Sequence, residues 1–470
     1  MARARNLLVL LCDQLQADCM SLYGGPVPTP SFERVAERGA VFDRYYCAVP
    51  MCAPTRPSMM TGRWAHQHGA ICNADARYAT VHDDEELLID RLQDAGYHVG
   101  YDGIWHINRR READRSGEYA HFRQGHFPYR LEDQMLRELG RDPGEQRALV
   151  INDNDEGPED TPISVPAPAT WTPGAASHPD MTGAARMARF IREVPEDRPL
   201  AAWCSLRGPH PPLVVPDPWM SRFDPAEIER PPGLDEDPSS LPRSVRESPG
   251  LQGMIGWGWD AWAEAIAAYY GYVAFVDHCQ GLVLDALEQS GRLDDTVIIV
   301  STDHGEMMGW HGIYQKFVMY EQSARVPFII SAPGIEPGRR SHLASQTDMA
   351  PTVLDLLGME PLSRAEGESL VPILDDPNAN SRPYTFVEYN GWYKGGYQSR
   401  LVAGERYKYV YDHQDFDQLF DLQDDPCELV NLAEDPAHAD ALAEHRAALT
   451  EWMDRTDDFI RPSLDSRKRG

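Results

Sequence analysis

Continuous apolar runs alternate with amphipathic segments over most of the chain. The runs at 6–12, 200–205 and 295–301 are apolar on both faces, which is typical of central strands in a parallel sheet. Further strands are predicted at 40–45, 97–101 and 326–331. Helical periodicity lies between them, at 29–39, 85–95, 181–192, 257–290 and 349–357. This alternation predicts an α/β fold with a large, mostly parallel central sheet flanked by helices.

The pattern changes after residue 367. Short strands are predicted at 384–389, 399–402, 407–411 and 418–421, followed by a helix at 437–452. We therefore expect a catalytic α/β domain over 1–367 and a C-terminal subdomain over 368–470, with a small antiparallel sheet and a terminal helix. Two segments without clear periodicity, 108–190 and 211–250, are predicted to form an insertion of loops and short helices and a lid-like excursion over the site.

Composition narrows the class of protein. The 470 residues are 42% hydrophobic and 25% charged, as in soluble globular proteins, and no apolar run approaches the about 20 residues of a membrane span. The net charge of −30 argues against binding to nucleic acid or anionic membranes. The N-terminal apolar run passes directly into Asp13 and Gln14, which favours a buried strand over a secretory signal, and the eight cysteines are scattered. We expect a cytoplasmic protein.

Residues 51–63 carry the first candidate chemistry. Cys52 precedes Pro54 and Arg56, and the stretch closes with Thr61, Gly62 and Arg63. Because proline is excluded from a helix interior, we expect Cys52 on a turn, with a helix beginning near 55–57. The free N–H groups of the helix start and the Arg56 guanidinium then favour an anion, and a thiol at this point is a candidate nucleophile.

Two acidic strand ends supply a second candidate site. Asp13 and Gln14 end the first strand, and Asp303 and His304 follow the strand at 295–301. The carboxyl ends of parallel strands share one rim of the sheet, so these side chains are expected to meet. Such a set suits a hard divalent cation.

The order Cys-x-Pro-x-Arg followed by Thr-Gly-Arg resembles the signature of the type I sulfatases, and residues 302–327 are similar to the second signature of that family. The resemblance implies an alkaline-phosphatase-like fold and oxidation of Cys52 to formylglycine by a formylglycine-generating enzyme. It also implies a divalent metal, Ca²⁺ first and Mg²⁺ or Mn²⁺ as alternatives. The metal ligands implied are Asp13, Gln14, residue 52, Asp303 and His304.

Other family positions follow from local matches. His106, in Gly-Ile-Trp-His, is implied to contact the substrate anion or the formylglycine hydrate, and His210 to face the leaving-group oxygen. Lys316 and Arg56 are implied to bind the sulfate. Asn73, 21 residues after Cys52, resembles an anion-contacting asparagine of choline sulfatases and phosphonate monoester hydrolases. His66 and His68 are interpreted as structural.

The resemblance implies covalent catalysis on a small anionic sulfate ester. One hydroxyl of the hydrated aldehyde attacks sulfur, His210 or Lys316 protonates the departing oxygen, and His106 deprotonates the second hydroxyl so that sulfate is expelled. Ile104 departs from the family, because most sulfatases keep a lysine there. A phosphonate monoester or phosphodiester hydrolase is therefore an alternative, as is a non-catalytic anion-binding relative with unconverted Cys52. The natural substrate and a homo-oligomeric state stay open.

Overall fold

A computed structural model describes residues 3–73, 78–110, 114–124, 166, 168–391 and 397–461. The strands are β1 Asn6–Asp13, β2 Ala40–Tyr46, β3 His98–Gly103, β4 His121–Gln124, β5 Ala169–Thr170, β6 Leu200–Pro209, β7 Val214–Val215, β8 Thr296–Thr302, β9 Phe328–Ser331, β10 Gly338–Ser345, β11 Thr385–Tyr389, β12 Ser399–Ala403, β13 Tyr407–Asp412 and β14 Gln418–Asp421. The helices are α1 Pro30–Ala36, α2 Cys52–Thr61, α3 Ala65–His68, α4 Leu88–Asp94, α5 Pro179–Glu193, α6 Arg243–Arg246, α7 Pro249–Gln252, α8 Trp259–Gln289, α9 Glu321–Ala324, α10 Met349–Leu356, α11 Val371–Asp375 and α12 Ala439–Thr456.

The central sheet has eight strands in the order β10-β2-β9-β8-β1-β6-β3-β4. Strand β9 is antiparallel to both of its neighbours, and every other pairing in this sheet is parallel. Strand β1 is buried along its whole length, and its side chains alternate between two apolar cores. Helices α1, α5 and α8 cover one face, while α2, α4 and α10 cover the other. The predicted large, mostly parallel sheet between helices is confirmed.

A second sheet follows, with β11, β12, β13 and β14 in sequence order and all pairs antiparallel. Helix α12 packs on β12 and β13. The predicted small sheet with a terminal helix is confirmed, whereas the division of the chain at residue 367 stays a prediction. Within the described ranges, no helix combines the length and the apolar character that crossing a membrane requires.

Some details differ from the prediction, and others lie outside the described residues. Strand β10 lies where no strand is predicted, because its arginines give it a polar pattern that suits an edge position. Helix α4 begins at Leu88, three residues later than the apolar pattern indicates. Most of the predicted insertion at 108–190 lies outside the described residues. The excursion at 211–250 contains β7, α6 and part of α7, and its Glu236 pairs with His311 Nδ1 at 2.8 Å.

A buried cation links the C-terminal sheet to helix α9. Lys408, on β13, is fully buried, and its Nζ lies 3.0 Å from Glu321 Oε1 on α9 and in short contact with Glu428. Glu428 also accepts the Glu321 backbone N–H at 2.7 Å. Glu321 Oε2 also pairs with Arg325 Nε at 3.1 Å, so two cations offset the charges of the two buried carboxylates.

We expect Lys408→Met to lower the free energy of unfolding by about 3–5 kcal/mol, because it leaves Glu428 buried without its counter-charge, whereas Glu321 keeps Arg325. Urea denaturation monitored by tryptophan fluorescence measures the change. Arg189→Met breaks an exposed pair with Glu193 and is the matched control, with an expected loss of only about 0.3–0.5 kcal/mol. Equal losses in the two variants would contradict a linking role for Lys408.

Candidate active site

Residues from three distant parts of the chain meet at the carboxyl rim of the central sheet. Strand β1 ends at Asp13, and Cys12 lies opposite Thr302, the last residue of β8. Asp303 and His304 follow β8 directly, and α2 begins with Cys52. The ligand atoms of Asp13, Cys52, Asp303 and His304 lie within 4.8 Å of one another, and all four residues are buried. The expected meeting of the two strand ends with Cys52 is confirmed.

Cys52 is the first residue of α2, so the predicted turn ahead of the helix is wrong. Met51 is extended (φ −164°) and provides the N-cap. Pro54 is tolerated in the first turn because the N–H groups there have no intrahelical acceptor. The Ala53 N–H instead donates to Asn73 Oδ1 at 2.9 Å. Asn73 therefore lies beside the predicted nucleophile.

His304 presents a lone pair to the centre of the site. Its Nδ1 lies 3.0 Å from the Gly305 carbonyl oxygen, which can only accept, so Nδ1 carries the proton. Its Nε2 lies 3.0 Å from Cys52 Sγ, 3.6 Å from Asp303 Oδ1 and 3.8 Å from Asp13 Oδ1. Burial lowers the pKa of His304 to about 3, so the imidazole is neutral at pH 7. A neutral, backbone-oriented imidazole is the usual form of a metal-ligating histidine.

Arg56 braces the two carboxylates. Its Nε and Nη2 donate to Asp303 Oδ2 at 3.0 and 2.8 Å, and Nη2 also donates to Asp13 Oδ2 at 3.1 Å. Its Nη1 donates to the Ile104 carbonyl at 2.6 Å and to Ser205 Oγ at 2.9 Å. All five N–H bonds of the guanidinium are thus engaged within the protein. The predicted contact between Arg56 and the substrate anion has no donor left in this arrangement.

The carboxylates influence each other strongly. Burial and the neighbouring Asp303 raise the pKa of Asp13 above its usual range. Burial also raises the pKa of Asp303, but His304, Arg56 and Lys316 outweigh it and hold that pKa well below its usual range. Burial and Asp13 raise the pKa of the Cys52 thiol, so the unmodified thiol is not an activated thiolate.

Lys316 lies at the same centre. Its Nζ donates to Gln14 Oε1 at 2.6 Å and lies 3.4 Å from Cys52 Sγ. The Gln14 backbone N–H donates to Asp303 Oδ1 at 3.0 Å. Both sequence-predicted residues therefore belong to the cluster, with the Gln14 amide oxygen turned towards Lys316.

His210 and His106 follow two other strands of the same rim. His210 Nδ1 lies 2.7 Å from the Pro211 carbonyl oxygen, which fixes the proton on Nδ1. Burial, Lys316 and Arg207 lower the pKa of His210 well below its usual value. His106 lies just after β3 in a left-handed conformation (φ 47°), and its contact with the nucleophile stays a prediction.

His66 and His68 have structural partners, as interpreted from the sequence. His66 Nδ1 pairs with Glu388 Oε2 at 2.9 Å, and His68 Nε2 lies 3.0 Å from Ser58 Oγ. The two histidines fasten α3 to β11 and to α2.

Sequence reasoning missed several residues that shape the site. Ser205 supports Arg56, and Gln346 Nε2 donates to the carbonyls of Thr302 and Asp303 at 2.8 and 2.7 Å. Arg207 donates to the Pro211 carbonyl, which also accepts the hydrogen bond of His210 Nδ1. Ser205 ends a predicted strand and Arg207 lies two residues beyond it, which is a usable signal, whereas Gln346 has none.

The donor set fits a hard divalent cation. Two carboxylates and a neutral imidazole nitrogen converge within 4.8 Å. The Gln14 backbone N–H donates to Asp303, and the Gln14 amide oxygen accepts Lys316 Nζ. Carboxylate and amide oxygens are the ligands that Ca²⁺ and Mg²⁺ prefer. Without a cation, the repulsion between Asp13 and Asp303 is offset by Arg56, Lys316 and Arg207.

Comparison with known proteins shows which family models and relatives this chain matches. The Sulfatase family model matches residues 5–359, and the model of the N-sulphoglucosamine sulphohydrolase C-terminal region matches residues 309–455. An arylsulfatase of Clostridium perfringens is 27% identical over 91% of this chain and 90% of its own length. A choline-sulfatase of Rhizobium meliloti is 28% identical over 98% of this chain and 90% of its own length.

The fold has close counterparts among solved structures. The phosphonate monoester hydrolase of Agrobacterium radiobacter superposes with a TM-score of 0.78, at 24% identity, over 96% of each chain. This likeness concerns the fold alone.

Proposed function

Because this chain belongs to the sulfatase family of sulfuric ester hydrolases, we propose that it hydrolyses a small sulfate monoester with a formylglycine derived from Cys52 and a bound divalent cation. The observation that carries the proposal is the position of Cys52, whose sulfur lies 3.0 Å from His304 Nε2 and 3.4 Å from Lys316 Nζ. A nucleophile at this position has metal ligands on one side and an ammonium group on the other.

The proposed metal ligands are Asp13, Gln14, residue 52, Asp303 and His304. Ca²⁺ is the first choice, with Mg²⁺ and Mn²⁺ as alternatives. When bound, the cation lowers the pKa of a coordinated hydroxyl and offsets the charge of the sulfate oxygens. Arg56 holds the carboxylates of Asp13 and Asp303 in place, and Asn73 is proposed to contact the substrate anion from the start of α2.

Lys316 is the better proton donor for the departing oxygen. His210 is neutral, and its one ring proton lies on Nδ1, which donates a hydrogen bond to the Pro211 carbonyl. Its Nε2 can therefore accept a proton but has none to donate. Lys316 Nζ lies next to the nucleophile, where the ester is expected to react. His210 is then proposed to orient the leaving group, and His106 to take the proton of the second hydroxyl, which releases sulfate.

A phosphonate monoester or phosphodiester hydrolase remains the second candidate. It is favoured by Ile104, which occupies the position where most sulfatases have a sulfate-binding lysine. The backbone carbonyl of Ile104 accepts a hydrogen bond from Arg56, and its apolar side chain offers no charge to an anion. The fold likeness to a phosphonate monoester hydrolase is compatible with either activity.

We expect the matured, Ca²⁺-loaded protein to hydrolyse 4-nitrophenyl sulfate with a higher kcat/KM than matched 4-nitrophenyl phenylphosphonate and bis(4-nitrophenyl) phosphate. The three substrates share a leaving group, so the ratio reports the transferred group alone. Dominant phosphoryl activity would overturn the choice of sulfate.

A third alternative is an anion-binding relative in which Cys52 is never converted. We expect co-expression with a formylglycine-generating enzyme to yield a chain roughly 18 Da lighter, as replacement of the thiol by an aldehyde requires. An unshifted mass together with absent turnover would favour the binding protein. The cytoplasmic location stays a prediction.

A further inference from the structure

Glu306 occupies a fully buried position three residues after Asp303, where the substrate is not expected to reach it. Its Oε1 accepts the backbone N–H groups of Met308 at 2.9 Å and Gln315 at 2.5 Å. Its Oε2 accepts the Gln14 side-chain Nε2 in a short contact. Every one of these partners is an N–H donor, so the carboxylate serves only as an acceptor.

The Gln14 side chain continues this chain of contacts to the nucleophile. Its amide nitrogen faces Glu306, while its amide oxygen accepts Lys316 Nζ at 2.6 Å. Lys316 Nζ in turn lies 3.4 Å from Cys52 Sγ. Gln14 and Lys316 are buried as well, so no solvent competes for these hydrogen bonds.

The orientation of a glutamine amide decides what it offers to a site. One end is a donor and the other an acceptor, and the two have nearly the same shape. A flipped Gln14 amide would turn an NH₂ group towards the Lys316 ammonium and towards the proposed cation. The contacts of Glu306 oppose that flip, because both of its oxygens accept N–H groups here, and the flipped Gln14 oxygen would face a second acceptor.

We infer that Glu306 is a positioning residue that fixes the Gln14 amide with its oxygen towards Lys316 and the cation site. The inference rests on the proposed metal site, and it assigns Glu306 no contact with the substrate. Both ends of the relay, Glu306 and Lys316, belong to one segment of 11 residues that folds back on the end of β1.

Glu306→Gln is the informative variant, because it keeps the shape of the side chain. The backbone N–H groups of Met308 and Gln315 still need an acceptor, which only the amide oxygen of the new side chain can provide. Its NH₂ group must therefore face Gln14. Gln14 then flips to present its own oxygen, and its NH₂ faces the cation. We expect the Ca²⁺ affinity, measured by isothermal titration calorimetry, to fall about 10–100-fold.

A double-mutant cycle with Gln14→Met isolates the role of the amide. If Glu306 acts through the Gln14 orientation, Glu306→Gln should weaken Ca²⁺ binding by less than about threefold in the Gln14→Met background. Full additivity of the two losses would overturn the inference. Glu428→Gln removes another buried carboxylate and is the matched control, which should lower the melting temperature and leave the Ca²⁺ affinity unchanged.

A second readout needs no cation. The chain has only four lysines, so selective ¹³C labelling yields few side-chain signals, and Lys316→Arg assigns the relevant one. Glu306→Gln should move the Lys316 signal of the metal-free protein in the wild-type background and leave it in place in the Gln14→Met background. An unmoved signal in the wild-type background would overturn the inference, even for a protein that proved to bind no Ca²⁺ and so failed the proposed function.

The swapped pair Gln14→Glu with Glu306→Gln covers the case in which Glu306→Gln alone does not fold. The amide introduced at position 306 would donate to the carboxylate introduced at position 14, whose other oxygen would accept Lys316, so the donor and acceptor order is restored. We expect the pair to fold and to bind Ca²⁺ at least as tightly as the wild type. Binding as weak as in Glu306→Gln, or failure of the pair to fold, would overturn the inference.

Discussion

Replacing Cys52 with serine is expected to leave a protein that reacts once and then stays sulfated. The serine hydroxyl can form the O–S bond while the ester O–S bond breaks. The alcohol leaves with a proton from Lys316, and the proton lost by the serine hydroxyl restores the Lys316 ammonium group. It has no second hydroxyl on the same carbon, so the sulfate cannot be expelled as it would be from a hydrated aldehyde. Intact mass should show the addition of one SO₃ group, with one equivalent of alcohol released.

Cys52→Ala is the control for this prediction. It should show neither the burst nor the adduct, and its turnover should fall by about 10⁴-fold or more relative to the matured wild type. The fold should persist, because the Cys52 side chain serves the centre of the site and no structural partner elsewhere. Repeated turnover by Cys52→Ser would contradict the proposed release step, and substantial activity of Cys52→Ala would contradict covalent catalysis.

Removal of the divalent cation is expected to abolish turnover, with a loss of about a thousandfold or more, since a bound cation contributes several kcal/mol of transition-state stabilisation. The melting temperature should fall as well, because the repulsion between Asp13 and Asp303 then loses the two positive charges of the ion. Dialysis against EDTA followed by activity assays and differential scanning calorimetry measures both effects.

Re-addition of Ca²⁺, Mg²⁺ and Mn²⁺ one at a time identifies the preferred ion by the activity restored. Asp303→Asn is the matched variant, because it keeps the shape of the ligand and removes its charge; Ca²⁺ should restore little of its activity. Full activity after exhaustive chelation, with an unchanged melting temperature, would remove the basis for a metal site.

The centre of the site was predictable because strand ends carry most of it. A fully apolar run that stops at a carboxylate fixes both the direction of a parallel strand and the rim at which its last side chain lies. Asp13, Asp303 and His304 met that condition, and the spacing around Cys52 joined them. The large sheet followed from the same runs, since strands buried on both faces show no alternation.

The predicted helix start near 55–57 is too late, because a rule for prolines in helix interiors does not apply to the first turn. Features that depend on contacts between distant residues are not predictable from local patterns. The five hydrogen bonds of Arg56 end on four acceptor atoms of residues 13, 104, 205 and 303, which are far from it in sequence. The antiparallel direction of β9 likewise leaves no trace in an apolar run of four residues.

The depth at which Cys52 lies sets an order of events for the making of this protein. The thiol is only 2% exposed and belongs to the first turn of a helix packed into the central sheet. A modifying enzyme that must bind the flanking residues needs them in an extended conformation, so the proposed oxidation has to precede folding. A molecule that folds with Cys52 unmodified is then no longer a substrate of that enzyme. The specific activity of any preparation would reflect the fraction of molecules oxidised before they folded.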